Sequence, residues 1–514
     1  MARIFRRNRT NNAREARLIK EAKPKAPKHK AHSYDAIIVG AGPAGIFAAL
    51  ELAEQNADVL LLEKGCDIRA RGCPARRTGR CVHCDPCDIT CGWGGAGAFS
   101  DGKLTLSPEV GGWLEDYVGR ETLEGLIADA DAVYRRYGAP ERLFGNDADA
   151  VSKWRLRALR QGLKLVASPI RHMGTERCTE VLTRMRDALE GRVQVLTDTL
   201  VDSLLVADEG NGSEGRRVTG VRTVDGEEFR AAAVVVAPGR EGAGWFLAEA
   251  RRLQIPVANN AVDIGVRVEV PAVVLEEVTA QLYEPKLLYT SRTFEDQVRT
   301  FCMNPQGEVS KENYGDVVTV NGHSYSDPSR QTLFTNFALL VSTRFTEPFD
   351  EPIIYGKSIA RLANVLGEDI IVQRLGDLRD GRRSTKQRLD RGVVRPTLRD
   401  ATPGDLSFVM PYRHLSDIVE MLDAMDKLLP GVAGRDTLLY GVEVKFYSSR
   451  PLLDRGLQTP VKGLYSIGDG AGVTRGVIQA SASGLIAARS ILANGNGRAP
   501  EEEPSPLPYA GGVD

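Results

Sequence analysis

The sequence predicts an α/β protein in which a Rossmann-like parallel sheet, extended by an antiparallel β meander, is combined with a mixed α+β domain. Three observations lead there. An apolar run, a glycine-rich turn, a helical pattern and a second apolar run follow one another from Tyr34 to Leu62. Short β runs gather between residues 193 and 230 and feed a third apolar run. A strand-and-glycine pattern then returns at Leu464, beyond a long stretch of mixed periodicity. Buried parallel strands read as unbroken apolar runs because both faces are covered, and strand–helix–strand alternation marks the crossover unit.

Taken in order, residues 1–33 hold eleven basic and two acidic side chains and predict a disordered basic tail. The tail lacks the apolar stretch of a secretory leader. A solubilising arm is its first reading, and a nucleic-acid or anionic-lipid contact its second. Over the whole chain of 514 residues, 67 basic side chains meet 68 acidic ones, which excludes a general preference for nucleic acid. The uncharged window 36–50 is too short for a bilayer, so no membrane span is expected. Eight cysteines without an export signal point to a reducing, cytoplasmic setting.

The first unit comprises a strand at 34–39, a turn at 40–45, a helix at 46–55 and a strand at 59–62. Residues 113–190 are helix-patterned, notably at 121–137 and 178–189. β runs at 193–196, 201–206, 218–223 and 228–230 read as the meander, followed by an apolar strand at 232–237. From 251 to 434 the pattern is mixed, with β runs at 263–270 and 317–320 and helices near 357–366 and 415–428. A strand at 464–467 precedes a small-residue helix that ends near Asn494-Gly495, and 495–514 reads as a second disordered tail.

The sharpest motif is Gly40-Ala41-Gly42-Pro43-Ala44-Gly45, which ends a strand and opens a helix. The first glycine permits the tight turn, the second lets the backbone approach a pyrophosphate, and the third allows close helix–sheet packing. Glu63 closes the next strand, with Lys64 beside it, where a carboxylate accepts from adenosine ribose hydroxyls. Far along the chain, Gly468-Asp469-Gly470-Ala471-Gly472 resembles the second FAD fingerprint of the two-dinucleotide-binding-domain flavoproteins. By that resemblance Asp469 binds the ribityl chain, and the helix beginning near Thr474-Arg475-Gly476 points its positive end at the flavin. Ala237-Pro238-Gly239-Arg240 matches the middle-strand signature of the same superfamily, with proline where threonine is usual. Gly239-x-x-Gly242-x-Gly244 only imitates a second nucleotide motif, its position favouring the FAD signature.

Joined to the run Gly92-Trp93-Gly94-Gly95-Ala96-Gly97-Ala98-Phe99-Ser100-Asp101-Gly102-Lys103 and to Gly381-Arg382-Arg383-Ser384-Thr385, these motifs give the chain its look. From about Tyr34 to Leu492 it is similar to a family of bacterial and archaeal FAD-dependent dehydrogenases. The resemblance implies FAD and redox chemistry, and supplies neither substrate nor catalytic residue. The expected partition is a discontinuous FAD-binding domain of residues 34–106, 175–250 and 435–494, with 107–174 and 251–434 as cap and substrate domain.

In the glycine run, Gly95 and Ala96 are expected against the ring, and Ser100, Asp101 and Lys103 to reach its N5 or C4 carbonyl, which makes Asp101 and Lys103 candidate catalytic residues. His323, in a polar turn, is the candidate acid or base, while His172 and His414 read as surface or packing residues. Arg299, Cys302, Arg383, Glu443, Lys445 and Tyr447 are further polar residues in apolar or glycine-rich surroundings. Cys81, Cys84, Cys87 and Cys91 repeat the spacing that holds iron–sulfur clusters, with His83, Cys73 and Cys66 nearby. Redox-active thiols, an iron–sulfur cluster and zinc all stay open for this loop. The expected activity is hydride or electron transfer through non-covalent FAD to or from an organic substrate, with NAD(P)H as a transient reductant. A flavin relay to the cysteine loop or an electron carrier, and a tRNA-associated flavoprotein, are the alternatives.

Overall fold

In the computed structural model the described residues are 32–495, apart from 75–81, 83, 209–214, 315, 326, 344–350 and 447. Nearly all of the two predicted tails, and with them the nucleic-acid reading, therefore lie outside the described residues. The chain opens with β1 (Ser33–Val39), α1 (Pro43–Glu54), β2 (Val59–Leu62), α2 (Arg120–Arg136), β3 (Leu163–Val166) and α3 (Thr175–Ala188). Next come β4 (Gln194–Leu196), β5 (Val201–Asp208), β6 (Arg216–Thr223), β7 (Glu228–Val236), β8 (Val262–Pro271), β9 (Lys286–Thr290) and β10 (Gln297–Asn304). After these follow β11 (Glu308–Asn313), β12 (Val318–His323), β13 (Phe334–Thr343), α4 (Pro352–Gly367), β14 (Ile371–Arg374) and β15 (Thr402–Pro403). The last are α5 (Tyr412–Leu428), β16 (Leu438–Lys445), β17 (Leu464–Ser466) and α6 (Val477–Gly495).

One sheet runs β4-β2-β1-β7-β6-β5, with β17 also beside β7. Its β1, β2 and β4 are mutually parallel, as are β17 and β7, whereas β5, β6 and β7 form the meander. The α/β reading with a Rossmann-like sheet holds. Two details differ from expectation. The run at 193–196 is not part of the meander but a parallel edge strand against β2, because three apolar residues suffice to extend a sheet already covered by helices. The separate runs at 228–230 and 232–237 are one strand, β7, whose first half pairs with β6 and whose second half pairs with β17.

The other sheet runs β15-β14-β16-β8-β13-β10-β9-β3, antiparallel except for β14 and β15. Its apolar face, including Ile264, Val266 and Val268, is buried with Ile418, Met421 and Met425 of α5. This redraws part of the expected partition. β16, placed by sequence with the FAD-binding residues 435–494, is a central strand of this second sheet. Within 107–174, β3 joins the second sheet but α2 belongs to the first core, where Tyr134 reaches Ser481 of α6 at 3.0 Å. An amphipathic helix is recruited by whichever apolar surface lies open, which sequence distance does not reveal.

Candidate active site

The first glycine motif has three glycines with three different physical causes. Gly40 has φ +107°, and a Cβ there would lie 2.2 Å from the Ala237 carbonyl oxygen, so glycine lets the end of β7 pass the turn. A Cβ on Gly45 would lie 2.0 Å from the Gly40 oxygen, so that glycine closes the turn itself. A Cβ on Gly42 would meet nothing within 4 Å. Protein packing does not require glycine at 42. The open space there, at the positive end of α1 with Pro43 in its first turn, fits a pyrophosphate approached by bare backbone. The helix-packing role expected of the motif is shared with Gly484 on α6, whose Cβ would lie 2.2 Å from the Ala44 oxygen.

Glu63 is buried, and its carboxylate accepts from the amides of Ala41 at 2.8 Å, Gly65 at 2.9 Å and Gly92 at 2.9 Å. A carboxylate has about four acceptor positions, so about one is left for a ribose hydroxyl. The residue thus clips three loops together at the place where sequence reasoning assigned only a ligand. Lys64 pairs with Glu241. The glycine run rests directly on the fingerprint: Gly94 N–H donates to Ala41 O at 2.7 Å, and a Cβ on Gly95 would come within 3.1 Å of Gly42.

Behind this run stands Arg71, which motif reading missed. Its guanidinium donates to the carbonyls of Asp88 at 2.8 Å, Ile89 at 3.0 Å, Trp93 at 2.7 Å and Gly95 at 2.8 Å. Burial lowers its pKa below the usual arginine value. Nothing in its sequence setting separates it from Arg69, Arg76 or Arg77.

At the second fingerprint, Gly468 has φ +76° and the would-be Cβ of Gly470 lies 2.4 Å from the Gly239 oxygen, which packs this turn against the middle strand. Gly239 therefore packs directly against the second fingerprint turn. Asp469 accepts from the Thr474 hydroxyl at 2.7 Å, and Arg475 N–H donates to Gly111 O at 2.6 Å. Helix α6 starts at Val477, so Thr474, Arg475 and Gly476 form the turn before it.

From Asp469 a file of ion pairs crosses to the second sheet. Arg240 lies 3.9 Å from Asp469 and 3.8 Å from Glu312. Glu312 pairs with Lys445 at 3.0 Å, and Lys445 with Glu443 at 3.2 Å. Glu443 forms a bidentate pair with Arg267 at 2.8 and 2.9 Å. Burial favours the neutral forms, but the opposite charges prevail: Lys445 is held above the usual lysine range by Glu312 and Glu443, and Glu312 is pulled down to about 2 by Lys445 and Arg240.

Between the two sheets lies a cavity of about 1080 Å³, walled by Ala96, Phe99, Asp469 and Thr474 on one side and by Phe301, Cys302, Glu312 and His323 on the other. Lys103 is in it but is not a free group. Its ammonium is 2.8 Å from Asp101, 2.8 Å from Glu284 and 2.8 Å from the Met303 carbonyl. Asn304 Oδ1 lies 3.5 Å from it, and despite burial the carboxylates raise the Lys103 pKa well above the lysine norm. Lys103 and Asp101 therefore clasp the glycine run to the second sheet, through a Glu284 whose pKa falls to about 2 against the pull of burial.

His323 ends β12 on the cavity wall rather than in a turn, and burial lowers its pKa. His172, read as a surface or packing residue, is instead bonded to Tyr283 at 2.9 Å, and burial brings its pKa to about 4. His414 is buried as well, with its ring 3.0 Å from the Thr343 hydroxyl. Arg299 pairs with Asp263 and stacks over Phe301 at 4.8 Å.

Of the cysteine loop, Cys81 and His83 lie outside the described residues, as does Tyr447. Cys84 and Cys87 are half-buried and Cys91 buried; Cys73 and Cys87 line the cavity. Among the described residues, no group of three or more His, Cys, Asp or Glu is placed to hold a metal ion.

Residues 261–446 match the family described as FAD-dependent protein, C-terminal domain-like, and residues 38–90 match the NAD(P)-binding Rossmann-like domain. A curated relative from Clostridium beijerinckii, described as an uncharacterized protein, is 28% identical over 489 residues, covering 89% of this chain and 80% of the relative. By shape the chain resembles an E. coli quinol fumarate reductase at TM-score 0.39 and 13% identity, over 92% of this chain and 72% of that one. It resembles an L-proline dehydrogenase from P. horikoshii at TM-score 0.38 and 13% identity, over 90% and 95%. Those low scores carry no weight beside the family matches. No described helix is long and apolar enough to cross a membrane. Residues 38–90 thus match a Rossmann-like domain where the first fingerprint lies, and residues 261–446 match the C-terminal domain of a FAD-dependent protein where most of the second sheet lies.

Proposed function

We propose that the chain is a FAD-dependent oxidoreductase, of the dehydrogenase kind, that passes hydride or electrons between non-covalently bound FAD and an organic substrate in the cavity between the sheets. The observation that supports it best is the cavity wall, which unites Asp469 and Thr474 of the second fingerprint with Glu312, Phe301 and His323 of the second sheet. FAD, when bound, would supply two-electron chemistry at its ring. Gly42 would admit the pyrophosphate, Glu63 would take one ribose hydroxyl, and Asp469 would hold the ribityl chain. Arg240, 3.9 Å away, would keep Asp469 directed inward. Lys103, surrounded by Asp101, Glu284 and the Met303 carbonyl, would hold the two sheets at a fixed separation, leaving His323 as the group to hold or move a proton. NAD(P)H is the proposed transient reductant, entering the same cavity.

Purified protein reconstituted with FAD and freed of excess tests this reading. Bound FAD should be recovered intact on heat denaturation, and Asp469→Ala should weaken its affinity by about 1.5–3 kcal/mol through loss of charge-assisted hydrogen bonds. Failure to bind FAD, or undiminished affinity in the variant, would overturn it.

A further inference from the structure

The proposed chemistry leaves the thiols before the glycine run without a task. We propose that Cys84 and Cys87 form a redox-active dithiol that exchanges an electron pair with the flavin, a second redox centre opening on the same cavity. The inference rests on the FAD reading. Cys87 lines the cavity together with Ala96, Phe99 and Asp469, and so borders the space proposed for the flavin. Cys84, half-buried, stands three residues before Cys87 in the same loop, and burial, then Asp88 and Cys87, raise its thiol pKa. The spacing, two residues between the sulfurs, is that of dithiols that open and close within one loop.

The segment from Cys87 to Cys91 is also held in place. Arg71 ties its Asp88 and Ile89 carbonyls to those of Trp93 and Gly95 in the glycine run, and the amides of Thr90 and Cys91 donate to the Cys87 carbonyl at 3.1 and 2.9 Å. A sulfur held at a constant place beside the ring loop is what two-electron exchange requires. In the oxidising direction, the two S–H bonds break, one S–S bond forms, and the flavin takes up the two electrons and two protons released. The reverse step returns them. The resulting class of substrate is an organic disulfide or dithiol that exchanges with this pair.

The test uses the full chain loaded with FAD, oxidised in air and titrated anaerobically with dithionite. Wild type should consume about four electrons per FAD, two for each couple, while Cys84→Ser and Cys87→Ser should consume about two and Cys178→Ser about four. Peptide mapping after differential alkylation should find a Cys84–Cys87 disulfide before titration and free thiols after it. Where a serine variant does not fold, wild type alkylated in its reduced state replaces it, with the same loss of two electrons expected. Consumption of two electrons by wild type carrying a full complement of FAD overturns the dithiol and leaves the flavin reading intact. A bridge from Cys87 to Cys73, or iron or zinc on the loop, overturns it equally. Protein that holds no FAD overturns both readings.

Discussion

The two sheets bury opposite kinds of chemistry. Strands β1, β2 and β7 bury aliphatic side chains on both faces of their sheet, Ile37 on one and Leu61 and Val235 on the other, all without solvent exposure. Strand β8, equally central to its sheet, buries Asp263, Arg267 and Glu269 on one face as completely. In the first sheet the special positions are side chains that are missing, the glycines at strand ends. In the second they are ionisable side chains that are present and bonded, Asp263 to Arg299, Arg267 to Glu443 and Glu269 to Thr397 and Tyr440. A nucleotide-binding edge is therefore made by backbone geometry, and the facing wall by electrostatics. The first should be sensitive to an added methyl group, the second to a lost partner.

The largest effect should come from breaking the buried pair. Glu443→Ala leaves the Arg267 guanidinium in the core without its bidentate partner and should cost about 3–5 kcal/mol in urea unfolding, whereas Arg267→Met combined with Glu443→Leu should restore most of that loss. A single-variant loss below about 1 kcal/mol would erase the contrast between the sheets.

Protonation probes the seam. Burial lowers the folded-state pKa of His172 from 6.5 to about 4, so its contribution is complete above pH 6.5 and is lost as pH falls through 4. That shift is worth up to about 3 kcal/mol, and His172→Gln should flatten the fall of Tm on acidification. Burial raises Glu269 from 4.5 to about 7, so its contribution is complete below pH 4.5 and is lost as pH rises through 7. Glu269→Gln should flatten that opposite slope in the same melting series.

Between the glycines the comparison becomes sharper. Gly40→Ala places a methyl group against the Ala237 carbonyl at positive φ and should destabilise the apoprotein by about 1–3 kcal/mol. Gly42 has φ −76° and open space, so Gly42→Ala should leave the apoprotein melting curve unchanged and weaken FAD binding instead. Equal effects of the two substitutions on stability would mean that Gly42 is a packing residue. The smallest effect should be at the surface, where Lys386→Ala removes an exposed pair with Asp390 worth about 0.3–0.5 kcal/mol. This marks how little a charge contributes once water reaches it.

The same difference decides what could be read from the sequence. Apolar runs and glycine spacing announce β1, β2, β7, β17 and both fingerprints, because there the chemistry is local to a turn. The second sheet announces little. Val262-Asp263-Ile264-Gly265-Val266-Arg267-Val268-Glu269-Val270 alternates as a half-exposed strand would, and alternation does not say that the polar face is covered. Here Asn321 and Asn336 reach Arg267 from β12 and β13, and Gly322 leaves room for them, since its Cβ would lie 2.6 Å from the Arg267 guanidinium. Three charges on one face of so apolar a strand were the available signal. Lys103 was legible as a group reaching toward the ring, but its partners Glu284 and Met303 are far away in sequence, so its pairing was not.

Arg71 has a consequence for how this chain can change. Its donors end on main-chain carbonyls, and every amino acid has one. The trace of residues 88–95 is thus held without reference to the side chains at Asp88, Ile89 and Trp93 that supply those oxygens. Such a segment can drift at Asp88 and Ile89, though not at Trp93, buried with its indole N–H on the Leu182 carbonyl, nor at Gly92 and Gly94, where a Cβ would lie 2.7 Å from the Cys66 oxygen and 2.6 Å from Leu182. The freedom of those two positions is bound up in the retention of one arginine outside the segment.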